Sequence, residues 1–189
     1  MEYTLGWLFL IIIFFSILLW TSKYPETKNF LIFAFLIRAI FLILDSHDLI
    51  TLPGSNADDD TFEREAREYS NKHGLFIIFD FFKLDSLLMV RIISIFYTIF
   101  GESKMMAQTI SLALGTASVY LVYVLSKMIW DHRAANKAAW VTAFFPTLIL
   151  YSCLTLREVY IVFLLLLGLI SMTNFIRYKT TLSLLKTLI

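Results

Sequence analysis

The sequence predicts an all-α, polytopic transmembrane helical bundle with outward-facing amphipathic interfacial helices, and three observations carry that prediction. Hydrophobic residues make up 59% of the 189 residues and charged ones only 16%, with a mean hydropathy of +0.75. A water-soluble domain of this length would need more charge on its surface. The apolar residues also gather into runs close to the ~20 residues that a helix needs to cross a bilayer. Finally, the basic residues fall in alternate connections, as the positive-inside rule requires of a multi-pass chain.

Taken in order, the spans are 3–20, 29–45, 105–130, 138–156 and 159–176, in a single membrane domain over 1–189. The first (LGWLFLIIIFFSILLW at its core) has no basic flank before it and no small-residue cleavage site after it, so it reads as a retained helix rather than a signal peptide. Lys23 and Lys28 mark the first connection as cytoplasmic. His132, Arg133 and Lys137 mark DHRAANK (131–137), and Arg177 and Lys179 follow the last span. Segment 46–104 and the Arg157–Glu158 turn then face outward. Pro146 predicts a kink in the fourth span. Gln108, Ser111, Thr116 and Ser118 read as helix-packing contacts in the third. The closing stretch NFIRYKTTLSLLKTLI begins another weakly apolar run, which suggests a missing C-terminal part or a partner subunit.

Segment 46–104 is the polar exception. Between Asp45 and Ser86 carboxylates outnumber basic groups ten to four. Pro53–Gly54 signals a turn, and a helix should open at the aspartate run, with Asp60 as N-cap, Glu63 completing a capping-box-like pair and Gly74 ending it. Phe62, Ala66 and Tyr69 fall on one side of that helix and Arg64, Arg67 and Glu68 on the other. Residues 75–100 read as two amphipathic helices in the outer interface with Asp80, Lys83 and Arg91 turned to water. A re-entrant pair would keep the same parity.

Candidate chemistry concentrates in this outward segment. Asp45, Asp48, Asp58 and Asp59 are carboxylates at a membrane surface, able to take a proton from an incoming hydroxyl or amine or to hold a divalent cation through oxygen ligands; the residue pattern leaves both open. Arg38 sits mid-span, where a charge faces a cavity, a partner or a phosphate. Arg157 suits an anionic head group, with Glu158 orienting it or the acceptor. Cys153 is the only cysteine, so no disulfide and no Cys-based metal site forms within the chain. His47 and His73 lack metal-ligand spacing, there is no phosphate-binding glycine loop or nucleophile elbow, and no basic stripe suggests nucleic acid.

The order of these features resembles a known group. Asp45 ends a span, ADDDTFEREA opens an outer helix, and IFGES leads into MMAQTISLALGTASVYLVYVLSKMIWDHRAANKAAWVTAFFPTLILYSCLTLREVYIVFLLLLGL. Over about residues 40–175 this is similar to GT-C-type integral-membrane glycosyltransferases, in particular the protein mannosyltransferase and aminoarabinose transferase relatives. The resemblance implies a polyprenyl-phosphate-linked sugar donor bound from within the membrane and an essential outer-loop acid. Asp58, followed by Phe62 and Ala66, matches that acid, with Asp45 second. Glu158 matches a later outer-loop acid, and Arg157, with Arg91, would suit the donor phosphate. The chain departs from the group by an extra first span and by having about five spans. The expected function is sugar transfer on the extracytoplasmic face, by this chain or by a longer protein of which it is the N-terminal part. The alternative is a non-catalytic membrane subunit, and membrane lipids are partners in either case.

Overall fold

The computed structural model of the chain describes residues 2–47, 49–53, 58–74, 77 and 87–178. Among them every regular element is helical: α1 (Glu2–Lys23), a 3-10 turn (Pro25–Thr27), α2 (Lys28–Ser46), α3 (Asp58–His73), α4 (Leu88–Phe100), α5 (Lys104–Ile129), α6 (His132–Phe144), α7 (Pro146–Cys153) and α8 (Arg157–Tyr178). Stretches Tyr3–Lys23, Pro25–Ser46, Lys104–Ile129 and Arg157–Arg177 are long and apolar enough to cross a membrane, and this is a membrane protein. Their surfaces agree. Phe15 is 59% and Leu19 75% exposed, a state that lipid tolerates and water does not.

α5 is the axis of the bundle, and α1, α2, α6, α7 and α8 all pack on it. It can be central because its buried positions are small or uncharged, among them Ala107, Ser111, Gly115, Thr116 and Ser118, and small residues let helix backbones approach closely in a membrane. Ser103 caps its start by accepting from the Met106 N–H at 3.2 Å. Lys127 and Arg177 meet at one end of this bundle, where Lys127 pairs with Glu26 at 2.8 Å and Arg177 donates to the Met128 carbonyl at 3.2 Å. The carboxylates of α3 gather at the other.

The fourth expected span, 138–156, is not one helix. Asp131 caps a helix that starts at His132, accepting from the Ala134 N–H at 2.7 Å, so the polar loop 131–137 is itself largely helical. That helix ends at Phe144, Phe145 is extended (φ −67°, ψ 115°), and α7 begins at Pro146. Proline supplies no N–H and drives the residue before it out of the helical region, so the kink becomes a break. The two pieces, 13 and 8 residues long, together still span roughly the 30 Å of a bilayer core at 1.5 Å per residue.

In the long polar connection, α3 and α4 pair with each other. The expected face of α3 is present: Ala66 is buried while Arg64, Arg67 and Glu68 are exposed. Its start differs, because α3 begins at Asp58 rather than Asp60, and Asp60 is therefore not a cap. Gly74 at φ +52° follows its last residue. The polar stripe of α4 departs more sharply from expectation. Arg91 is 2% exposed and turned inward, not to water. Ser94 Oγ donates to the Ala66 carbonyl at 2.8 Å, and Thr98 Oγ1 meets Ser70 Oγ at 2.7 Å. The stripe faces α3 because α3 covers it. The opposite side of α4 rests on α1, where Phe9 packs edge-on against Phe96 and Phe100. Asp48, Asp80, Lys83 and the tail 179–189 lie outside the described residues.

Candidate functional site

The carboxylates of α3 stand over the start of α5 and the turn between α7 and α8. Asp59, Glu63, Ala66 and Ser70 are spaced i, i+4, i+7 and i+11, which is one face of a helix, and all four are buried. That face seats α3 on the bundle. Lys104 opens α5, and its ammonium lies 2.7 Å from Asp60 Oδ1 and 3.4 Å from Asp59 Oδ2. A cation at the positive end of a helix is unfavourable in isolation; the two carboxylates make it favourable here.

Glu63 is 4% exposed, and its Oε1 accepts a hydrogen bond from Thr155 Oγ1 at 3.0 Å. Burial, which penalises the ionised form, is the main cause that raises its pKa from 4.5 to about 7; Asp59 and Asp60 push the same way, while Lys104 and Thr155 oppose. Thr155 is two residues before Arg157, so the connection that holds the Glu63 carboxyl also leads to an exposed guanidinium. Arg157 lies over the Phe62 ring at 5.9 Å and 3.8 Å from Glu158 Oε1. Behind Glu158 a crevice of about 170 Å³ descends between α5, α7 and α8, lined by Gly115, Ser118, Tyr151, Val162 and Leu166.

The raised pKa gives a signed prediction. The folded state holds the Glu63 proton more tightly than the unfolded chain does, so its stabilising contribution is full below pH 4.5 and is lost as pH rises through about 7. The loss is on the order of 3 kcal/mol. Thermal unfolding of the purified protein between pH 5 and 8 should therefore fall more steeply for wild type than for Glu63→Gln; parallel curves would contradict the assignment.

The other residues singled out by sequence are distributed as follows. Asp58 is the first residue of α3, one and a half turns from Glu63, and its side chain lies outside the described residues. Asp45 is 6% exposed and both its oxygens are engaged, Oδ1 by the Leu52 N–H at 3.1 Å and Oδ2 by Gln108 Nε2 at 3.2 Å; it ties the end of α2 to α5 and to the following loop. Gln108 was thus a packing contact with a specific partner. Arg38 is fully buried. Its Nε donates to Ser152 Oγ at 2.9 Å, and one terminal nitrogen donates to the Ala34 and Ala143 carbonyls at 2.9 and 3.2 Å. Ala143 C=O is one of the acceptors that the break at Pro146 deprives of its helical N–H, so Arg38 fills that vacancy. Its partners are carbonyls and a hydroxyl rather than a buried acid.

Among the described residues no group of three or more His, Cys, Asp or Glu could hold a metal ion. Beside Asp59 and Asp60 the position that a divalent cation would take belongs to the Lys104 ammonium. Glu63, expected only as a capping partner, and Lys104 were not foreseen as parts of this site. The signal for Glu63 was its place in the i, i+4, i+7, i+11 stripe, obscured because two of the four positions are carboxylates. The signal for Lys104 was its adverse position at a helix start. No family model, no curated protein and no solved structure matches this chain.

Proposed function

We propose that the chain is a membrane glycosyltransferase, or the N-terminal part of one, moving a sugar from a polyprenyl-phosphate-linked donor to an acceptor on the extracytoplasmic face. The observation that carries this reading is the passage 155–158 from α7 into α8: Thr155 holds the Glu63 carboxyl, whose pKa burial raises to about 7, Arg157 is exposed, and Glu158 lines an apolar crevice. A general base works best with a pKa near the operating pH. Glu63 takes that place ahead of Asp45, whose oxygens are engaged elsewhere; Asp58, the first residue of α3, is the alternative that the resemblance names. The base removes the proton of an acceptor hydroxyl, whose oxygen attacks the anomeric carbon. The bond from that carbon to the donor phosphate breaks, and polyprenyl phosphate leaves with the bonding pair. Arg157 stabilises the charge that develops on the phosphate, and the crevice beside Glu158 receives apolar chain. The acidic end faces outward in this reading because the opposite end carries Lys28, Arg133 and Lys137, which form no ion pair among the described residues.

The experiment compares sugar transfer in membranes carrying wild type, Asp58→Asn and Glu63→Gln. Loss in Glu63→Gln alone makes Glu63 the base, and loss in Asp58→Asn alone returns that role to Asp58. Unchanged transfer in both removes the α3 carboxylates from the mechanism. A second reading, a non-catalytic subunit, is favoured by one observation: Lys104 and Thr155 partner three carboxylates internally, as a scaffold would require. Absence of transfer by the wild type, with chelator and with added divalent cation alike, would support it.

A further inference from the structure

At the basic end, α2 and α6 start side by side and run parallel. Phe30, Leu31 and Ala34 of α2 pack with Ala135, Ala139 and Ala143 of α6. Their outward faces share an aromatic lane. Phe33 and Trp140 have ring centroids 5.6 Å apart, and Trp140 stacks on Phe144 at 5.6 Å with an interplanar angle of 11°. Phe33 and Phe144 are about half exposed. Arg133 and Lys137 precede Trp140 by seven and three residues, which places both on its side of α6. Asn29 lies one turn before Phe33 on α2, whereas Lys28, which opens the helix, lies about 140° round it from that ring.

Lys28, Arg133 and Lys137 are exposed and form no ion pair among the described residues. The acids at this end are committed elsewhere: Glu26 to Lys127 and His132, Asp131 to the start of α6. Two of these cations, Arg133 and Lys137, thus crown an apolar, aromatic lane on the lipid-facing side of the bundle. A ligand that fits must carry a net negative head and an apolar body lying along Phe33, Trp140 and Phe144. A zwitterionic lipid brings its own cation and gains less.

We propose that this face binds one anionic phospholipid, with its phosphate between Arg133 and Lys137 and its acyl chains on the aromatic lane. The site is at the opposite end from the α3 carboxylates and does not depend on what they do.

The test uses the whole chain in nanodiscs of phosphatidylglycerol or of phosphatidylcholine, read by thermal unfolding and by native mass spectrometry. Wild type should unfold at a higher temperature in phosphatidylglycerol and release with that lipid attached. Arg133→Gln and Lys137→Gln should each weaken retention about fivefold, and together about thirtyfold, at ~1 kcal/mol per cation. Their midpoints in phosphatidylcholine should match wild type, which shows the fold intact. Equal behaviour of wild type in the two lipids, or full retention by the double variant, overturns the proposal. Millimolar inorganic phosphate added to phosphatidylcholine discs should leave the midpoint unchanged; a shift as large as that from phosphatidylglycerol would mean a free-phosphate site instead.

Discussion

Arg38→Leu should destabilise the bundle by about 2–4 kcal/mol, although leucine is the better lipid-phase residue. The usual expectation for a buried charge is the reverse, since replacing it by a well-packed hydrophobe is often neutral or stabilising. Here the guanidinium is the donor for Ala143 C=O, an acceptor released where the chain breaks before Pro146. Leucine would leave that carbonyl bare in a medium without water, and an unpaired buried polar group costs about 1–3 kcal/mol. It would also remove the clasp on Ser152 at 2.9 Å, leaving the Cys153 thiol on the Arg38 carbonyl at 3.3 Å to join α2 and α7. Arg38→Lys should recover only part of the loss, because one ammonium cannot reproduce donors spread over Ser152, Ala34 and Ala143. Unfolding of the purified protein in mixed micelles measures both; a leucine variant as stable as wild type would show that the break needs no donor from α2.

Gly115→Ala should cost about 3 kcal/mol or more, which is large for one methyl group. A Cβ at this position would stand 2.3 Å from Ser152 Cβ and 3.5 Å from Arg38 Nε. Ser152 Cβ is fixed to the α7 backbone and cannot swing away, so α5 and α7 would have to part. Overpacking a buried site usually costs about 1–3 kcal/mol, and here the separation also loosens the Arg38 clasp. Ser152→Gly in the same chain removes the opposing atom, so the double variant should be more stable than the sum of the single losses predicts. Strict additivity in the micelle unfolding experiment would contradict a direct contact. The crevice beside Glu158 is lined by the same glycine, so this junction also shapes the proposed site.

The helices of the bundle were legible in the sequence because lipid selects on length and hydropathy, and α1, α2, α5 and α8 carry both. The break was half legible. Pro146 announced a disturbance, but whether the helix bends or stops depends on who satisfies the freed carbonyls, and Arg38 lies more than a hundred residues away. Reading the stretch that ends at Phe100 as an amphipathic helix was sound. Turning Arg91 to water was not, because an amphipathic pattern records that a side is polar without saying whether water or another helix meets it. The acidic island divided in the same way. Asp58 stood out only by what it resembles, whereas the burial of Glu63 under Thr155 follows from the tertiary seat of α3.

The central claim is that the carboxylate held beside the 155–158 turn accepts a proton during transfer from a lipid-linked sugar. The most direct measurement is the initial rate of that transfer by the reconstituted chain as a function of pH, for wild type and Glu63→Gln. The account predicts a wild-type rate that rises with an apparent pKa near 7, where burial places Glu63, and a variant slower by about a hundredfold or more with that inflection gone. A variant that transfers at the wild-type rate with the same pH profile would contradict it.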